Sequence, residues 1–238
     1  RRHYHRIRRR VARLRREAAS HVGSFDSPFT EPELLAALRE LRHCSAPGTD
    51  GLPYEVWTVR DSRWHHALLS FLELVRTWAT VPTVWREGIV VPIHKSGSTR
   101  DPSNYRPITL LTSLTKLFER LVLRRIGPAL NPILDPAQAG FRWGADVQAY
   151  ALAETLRLRG SQRTWAAFVD VRKAYDIAWR DAALARLHRA GVQGRIWLLL
   201  DDLCASPSSQ VRIDGCFSAS WENAEGVRQG SVLSPLLF

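Results

Sequence analysis

The sequence predicts an α+β fold of mixed helices with a small, mostly antiparallel sheet. Three observations predict it. Leucine stripes at three- and four-residue spacing recur through the first half of the chain, the pattern of helices with one buried face. Short β-prone runs stand at residues 88–93 and 164–169, each too brief for a helix. Asp214-Gly215 separates two further β-prone runs, which is the signal of a two-residue hairpin.

Taken in order, Thr30-Glu31-Pro32-Glu33 predicts a helix start. Thr30 caps, Glu33 completes a capping box, and Phe29 staples onto Leu34. Leu34, Leu38 and Leu41 then mark one face. Residues 46–51 form a loop by their Pro, Gly and Asp content. Leu68, Leu69, Leu72 and Val75 suit a second helix. Residues 88–93 read as an edge strand, because Pro92 has no ladder donor. Residues 94–107 form a loop or hairpin. Ser113 caps a helix whose stripe is Leu114, Leu117, Phe118, Leu121 and Val122, and residues 145–159 form another. Residues 164–169 read as a buried strand that delivers Asp170 to its tip. A helical stretch then runs to Ala190 and is stopped by Gly191, and Gly194–Cys204 is helical again. The last strands are Ser209–Ile213 and Cys216–Ser220.

Composition narrows the function classes. Apolar residues make up 45% and charged residues 24%, which is ordinary globular usage. No apolar run is long enough for a transmembrane span, and no secretory leader pattern is present. Cys44, Cys204 and Cys216 are widely spaced without a C-x-x-C pattern, so neither a disulfide framework nor a zinc site is suggested. An intracellular, reducing compartment is the default. Residues 1–16 hold nine arginines and no acid, whereas the other 25 Lys and Arg nearly balance 23 acids. The basicity is therefore an arm. It can neutralise phosphates in a salt-sensitive way, or it can be a solvated helix without a partner. The chain contains no methionine and stops in an apolar helical pattern, so a piece of a larger polyprotein is expected.

Chemistry concentrates at Phe168-Val169-Asp170-Val171-Arg172-Lys173-Ala174-Tyr175-Asp176. A carboxylate at a strand tip faces a cleft and can hold a divalent cation, although an Asp there can also simply cap the next helix. The nine residues resemble the first palm motif of reverse transcriptases. Asn104-Tyr105-Arg106-Pro107-Ile108 resembles their fingers segment, Gln138-Ala139-Gly140-Phe141-Arg142 the segment after it, and Gly226 to Pro235 their second palm motif. Pro47-Gly48-Thr49-Asp50-Gly51 resembles the element that precedes the fingers. The order and spacing are closest to non-LTR (LINE-type) retrotransposon polymerases, with group II intron enzymes further off. Trp143-Gly144-Ala145-Asp146 departs from the family pattern, which weakens the case for template contacts there.

The resemblance implies right-hand polymerase fingers and a partial palm. The charge distribution sets off an arginine-rich arm at 1–29, and the resemblance suggests a helical extension at 30–73 and a truncated reverse transcriptase domain at 74–238. It implies RNA-directed DNA synthesis from an RNA template, a DNA primer and deoxynucleoside triphosphates, with nuclear action. Two ions, Mg2+ by expectation, would stabilise the attacking and leaving oxygens. Asp170 and the carbonyl of Val171 match the metal ligands. Tyr175 matches the aromatic that excludes a 2′ hydroxyl, while Lys95 and Arg106 match the triphosphate cations. Gln229 and Gly230 match the residues beside the nucleotide, and Asp176 is read as a structural anchor. A non-catalytic RNA-binding relic of such an enzyme is the alternative.

The family's third palm motif, an aromatic-x-Asp-Asp hairpin, would follow the second motif. Asp201-Asp202 precedes it on a helical pattern and is read as a solvated face. Residues 1–238 alone are therefore expected not to extend oligo(dT) on poly(rA), and robust primer extension by them would overturn that expectation.

Overall fold

The computed structural model describes residues 2–41, 44–141 and 147–238. Its helices are α1 (Arg2–Ser20), α2 (Glu31–Arg39), α3 (Ser62–Trp78), α4 (Ser113–Leu130), α5 (Val147–Arg159), α6 (Ala174–Ile177), α7 (Arg180–Arg189), α8 (Gly194–Cys204) and α9 (Ser234–Leu237). Its strands are β1 (Glu87–His94), β2 (Tyr105–Leu110), β3 (Ser208–Ile213), β4 (Cys216–Phe217) and β5 (Trp221–Glu222).

The sheet runs β2-β1-β3-β4, with β5 also paired to β3. It is mixed rather than antiparallel, because β1 and β3 are parallel over Glu87–Val90 and Ser208–Val211. This also corrects the edge assignment of residues 88–93. β1 lies inside the sheet along its first half, and Pro92 falls beyond the β3 pairing, opposite Pro107 of β2. The missing N–H therefore costs the parallel ladder nothing. The hairpin turn is as expected, with positive φ at both Asp214 and Gly215, as this turn demands, but its second strand ends at Phe217 rather than Ser220.

One apolar core joins α1, α2, α3, α4, α7 and α8. Leu117, Phe118, Leu121 and Val122 of α4 lie at its centre, with Leu34, Leu72, Trp85 and Trp197 around them. The Thr30–Glu33 capping box is present. The cap of α4 is Thr112 rather than Ser113, whose hydroxyl instead accepts from the Trp57 indole and donates to the Leu52 carbonyl.

The arginine-rich arm is a docked helix. Val11, Leu14 and Ala18 of α1 are buried, and Tyr4 stacks on Trp179. Arg15 pairs with Asp201 and Arg8 with Asp181. The reading of Asp201-Asp202 as a solvated face is thereby overturned. Asp201 is buried against Arg15, while Asp202 accepts from the Val81 amide and from Arg86. Apolar side chains on one stripe of an Arg-rich sequence are sufficient to dock it.

Two expectations fail in the middle of the chain. Residues 164–170 form no strand, and Trp165, Phe168 and Val169 are 87%, 86% and 91% exposed. A β-prone run becomes a strand only by pairing, and no described strand lies beside it. The helical stretch before Ala190 is broken into α6 and α7, and Lys173 precedes α6 in the left-handed region. The expected start of a helix at residue 145 lies outside the described residues, as do Arg142, Trp143, Gly144, Ala145 and Asp146.

Long-range capping ties α1 and α2 to the rest. Gln193, at the N-terminus of α8, gives no side-chain cap. Asp26 supplies it from the α1–α2 connection, accepting from Arg195 and Ile196 amides at 2.8 and 2.9 Å, and from Gly23 at 2.8 Å. Asp26→Ala leaves these buried donors unmatched and should lower unfolding free energy by about 3 kcal/mol, with Asp26→Asn losing less. Urea denaturation of the two variants measures this.

Candidate active site

β1 and β2 form the hairpin that carries the two expected cations. Arg106 stands opposite Ile93 in the register, and the Lys95 amide donates to the Asn104 carbonyl at 2.9 Å. Both side chains are exposed, and among the described residues neither makes an ion pair. At the turn of this hairpin, His94 packs edge-on against Tyr105, whose hydroxyl donates to the Thr99 carbonyl at 2.9 Å. The cations are thus held on a braced hairpin.

Residues 226–235 lie between β2 and the α6 segment. The Thr109 amide of β2 donates to the Gln229 carbonyl at 2.7 Å. Gly230 has φ +141°, and a Cβ there would run into the Thr109 carbonyl oxygen, so only glycine fits. At the other end of the loop, the Val227 amide donates to the Tyr175 carbonyl at 2.8 Å and the Gly226 amide to the Ala178 carbonyl at 3.1 Å. A Cβ at Gly226 would likewise meet the carbonyls of Tyr175 and Asp176. Tyr175, Gln229, Gly230 and the strand of Arg106 are therefore one backbone-bonded unit.

The Tyr175 ring is half-buried and stacks on Phe238, with centroids 5.5 Å apart; burial pushes its hydroxyl pKa up. Asp176 makes its contribution through the backbone, its amide donating to Lys173 at 2.9 Å and its carbonyl lying against Gly226. Phe141, in the motif before it, is 81% exposed.

Asp170 and Val171 are exposed on the unpaired segment before Lys173. Asp170 is not sealed in the interior, so its carboxylate is open to a cation. Among the described residues it makes no hydrogen bond or ion pair, and no three His, Cys, Asp or Glu side chains converge. The oxygen donors offered, the Asp170 carboxylate and the Val171 carbonyl, are of the type a hard divalent cation takes. The structure thus joins Tyr175, Gln229, Gly230, Arg106 and Lys95 through the sheet and loop, and it does not tie Asp170 or Val171 into that unit.

Sequence reasoning missed the groups that fasten the loop. Glu119 of α4 is fully buried on the face that also carries Phe118 and Val122. Its carboxylate accepts from the Ser231 hydroxyl at 2.8 Å and the Val232 amide at 2.6 Å. Arg228 lies 3.9 Å from it and donates to the Trp85 carbonyl at 2.9 Å. Burial pushes the Glu119 pKa up and the Arg228 pKa down, against their mutual attraction. Arg180 holds the segment before the loop, donating to the carbonyls of Asn223 and Ala224 at 2.8 and 2.7 Å. A glutamate in the middle of an apolar stripe was the available signal.

Comparison with known proteins agrees with the motifs. Residues 93–238 match the family model described as "Reverse transcriptase (RNA-dependent DNA polymerase)". The chain is 28% identical over 221 residues to "Probable RNA-directed DNA polymerase from transposon BS" of Drosophila melanogaster, covering 89% of this chain and 24% of that protein. It is 30% identical over 217 residues to "Retrovirus-related Pol polyprotein from type-1 retrotransposable element R2" of Popillia japonica, covering 89% and 29%. It is 28% identical over 219 residues to "RNA-directed DNA polymerase from mobile element jockey" of Drosophila melanogaster, covering 89% and 24%. The chain thus spans about a quarter of the length of these relatives.

Proposed function

The chain belongs to the reverse transcriptase (RNA-dependent DNA polymerase) family, and we propose that it provides the fingers and part of the palm of a non-LTR retrotransposon polymerase. The observation that carries this reading is the loop at 226–235, bonded through its backbone both to Tyr175 and to the strand of Arg106. A loop so held can present Gln229 and the bare backbone of Gly230 to a nucleotide whose phosphates face Lys95 and Arg106. Arg106 would grip phosphate through paired N–H donors, and Lys95 would act as a point charge. Tyr175 would lie under the sugar and select deoxynucleotides by leaving no room for a 2′ hydroxyl.

Asp170 and the Val171 carbonyl would hold a divalent cation, Mg2+ in this reading. Such an ion supplies charge stabilisation at the attacking and leaving oxygens of phosphoryl transfer. What these two residues themselves would do is present a negative group and a carbonyl oxygen to that cation beside the primer end.

The template side is served by α1. With Val11, Leu14 and Ala18 turned inward, Arg6, Arg9, Arg13 and Arg16 form an exposed stripe at spacings of three, four and three. At 1.5 Å per residue it extends about 15 Å, enough to follow several phosphates of a single strand. Among the described residues no helix is long and apolar enough to cross a membrane. Nuclear action, at the site of integration, is part of the same proposal.

Three measurements test the reading in the full-length context of these residues. Asp170→Asn should reduce primer extension by about three orders of magnitude while template binding persists, and Tyr175→Ala should raise ribonucleotide incorporation. Undiminished extension by Asp170→Asn would reject catalysis at this site. Replacing Arg6, Arg9, Arg13 and Arg16 together with Ala should weaken RNA binding and flatten the log K against log salt slope by about 3. An unchanged slope in filter-binding titrations would remove the stripe from the interface.

A further inference from the structure

Glu119 is a buried titratable group that the roles above leave unused. It sits on α4 with no solvent exposure, between Phe118 and the Leu121–Val122 pair of the core. A carboxylate there is a poor choice for stability alone. Its desolvation is costly, and an apolar residue of similar volume commonly serves a core as well or better. What a carboxylate offers that leucine does not is directional acceptance.

Both oxygens are used on a single turn. Oε1 takes the Ser231 hydroxyl and Oε2 takes the Val232 amide. The same Ser231 hydroxyl oxygen accepts from the Leu233 amide at 3.2 Å, closing the turn on itself. Arg228, on the near side of the turn, is nearly buried between Glu119 and the Trp85 carbonyl. Contacts on both oxygens fix where the turn lies and how it is rotated about the carboxylate plane. Gln229 and Gly230 stand between these two anchors, at Arg228 and Ser231, with one hydrogen bond to Thr109 and no room for displacement toward β2.

We propose that Glu119 is a positioning residue for the nucleotide: through Ser231, Val232 and Arg228 it sets the Gln229-Gly230 backbone against β2. The proposal rests on the polymerase reading above and adds to it a residue that touches neither nucleotide nor metal. It acts on binding of the incoming nucleotide and leaves the chemical step to Asp170.

The test is steady-state primer extension in the full-length context of these residues, with dTTP varied on poly(rA)/oligo(dT). Glu119→Gln keeps the volume, and its amide can still serve Ser231 and Val232, but it loses the charge facing Arg228. It should raise the KM for dTTP about tenfold and lower kcat by less than about threefold, as loss of a charged hydrogen-bonding partner predicts. Ser231→Ala removes one contact and leaves the Glu119–Arg228 pair, and it should move KM in the same direction by a smaller factor. Thermal melting is followed on both variants, and the KM effect is expected where the melting temperature is held. If Glu119→Gln does not fold, Ser231→Ala decides on the same criterion. A KM within about twofold of the parent in the folded variants, or parallel losses of kcat and melting temperature with KM unmoved, overturns the proposal. Asp170→Asn is run alongside: if it extends primers like the parent, the polymerase reading itself has failed, and this proposal goes with it.

Discussion

β2 has one side paired to β1 and one side open, and the Thr109 amide on that open side must find an acceptor. It finds the carbonyl of Gln229. An unpaired strand edge invites wrong partners, and covering it with a loop is one of the ways proteins close it. Here the covering loop is the same segment that reaches Tyr175 through Val227 and Gly226. Residues 105–110, 174–178 and 226–235, far apart in sequence, are thus held in one register by a few main-chain bonds. The glycines follow from this constraint. At both Gly226 and Gly230 a side chain would meet backbone carbonyls, which cannot move aside as a flexible side chain would.

The charge of the molecule is divided on the same principle of satisfying what is buried and leaving free what must meet solvent or ligand. Arg15 and Arg8 of α1 are neutralised by Asp201 and Asp181, which lie on the helices α1 packs against. Arg125 is spent on Glu33 and on the carbonyls of residues 25, 27 and 28, with its guanidinium over the Phe29 ring. Glu33 stays below the usual carboxylate range, because the hydrogen bonds from Arg125 and Thr30 outweigh the opposing effect of burial. Lys95, Arg106 and, on the outward stripe of α1, Arg6, Arg9 and Arg16 have no such acidic partner among the described residues. Arg13 is the exception on that stripe, with Glu17 at 3.1 Å and both groups half or more exposed, a pair that contributes little.

Local chemistry was legible in the sequence and non-local chemistry was not. The capping box at Thr30–Glu33, the stripe of α4 and the Asp214-Gly215 turn are each decided by residues within a few positions, and each is found where expected. The parallel pairing of β1 with β3 joins residues more than a hundred positions apart, and nothing in either run announces it. The run at 164–169 shows the reverse error. Its composition is that of a strand, but strand formation is a property of the pair. Among the candidate site residues, Arg106, Tyr175, Gln229 and Gly230 were singled out through motifs, and the bonding that joins their segments was not. Glu119 carried a readable signal, a charge on an apolar stripe, and Arg228 lay inside a motif already singled out for its neighbours. Asp201 was misjudged because its partner, Arg15, lies 186 positions away in an arm taken to be free.

The two halves of the proposed site are built to different standards, and this bears on how its residues would act. The nucleotide half is pre-organised. Its cations stand on a paired hairpin, and its glycine turn is clamped by a buried carboxylate. The proposed metal half rests on backbone that no described strand supports, with a left-handed residue, Lys173, between Asp170 and Tyr175. A ligand held by pre-paid geometry gains affinity, because the ordering cost has already been met in folding. A carboxylate on an unsupported segment must be ordered when its cation and partners arrive. On the proposed reading, changes in the clamped half should therefore register in nucleotide affinity, and changes in the unsupported half in the chemical step. Glu119 would act in the first way and Asp170 in the second.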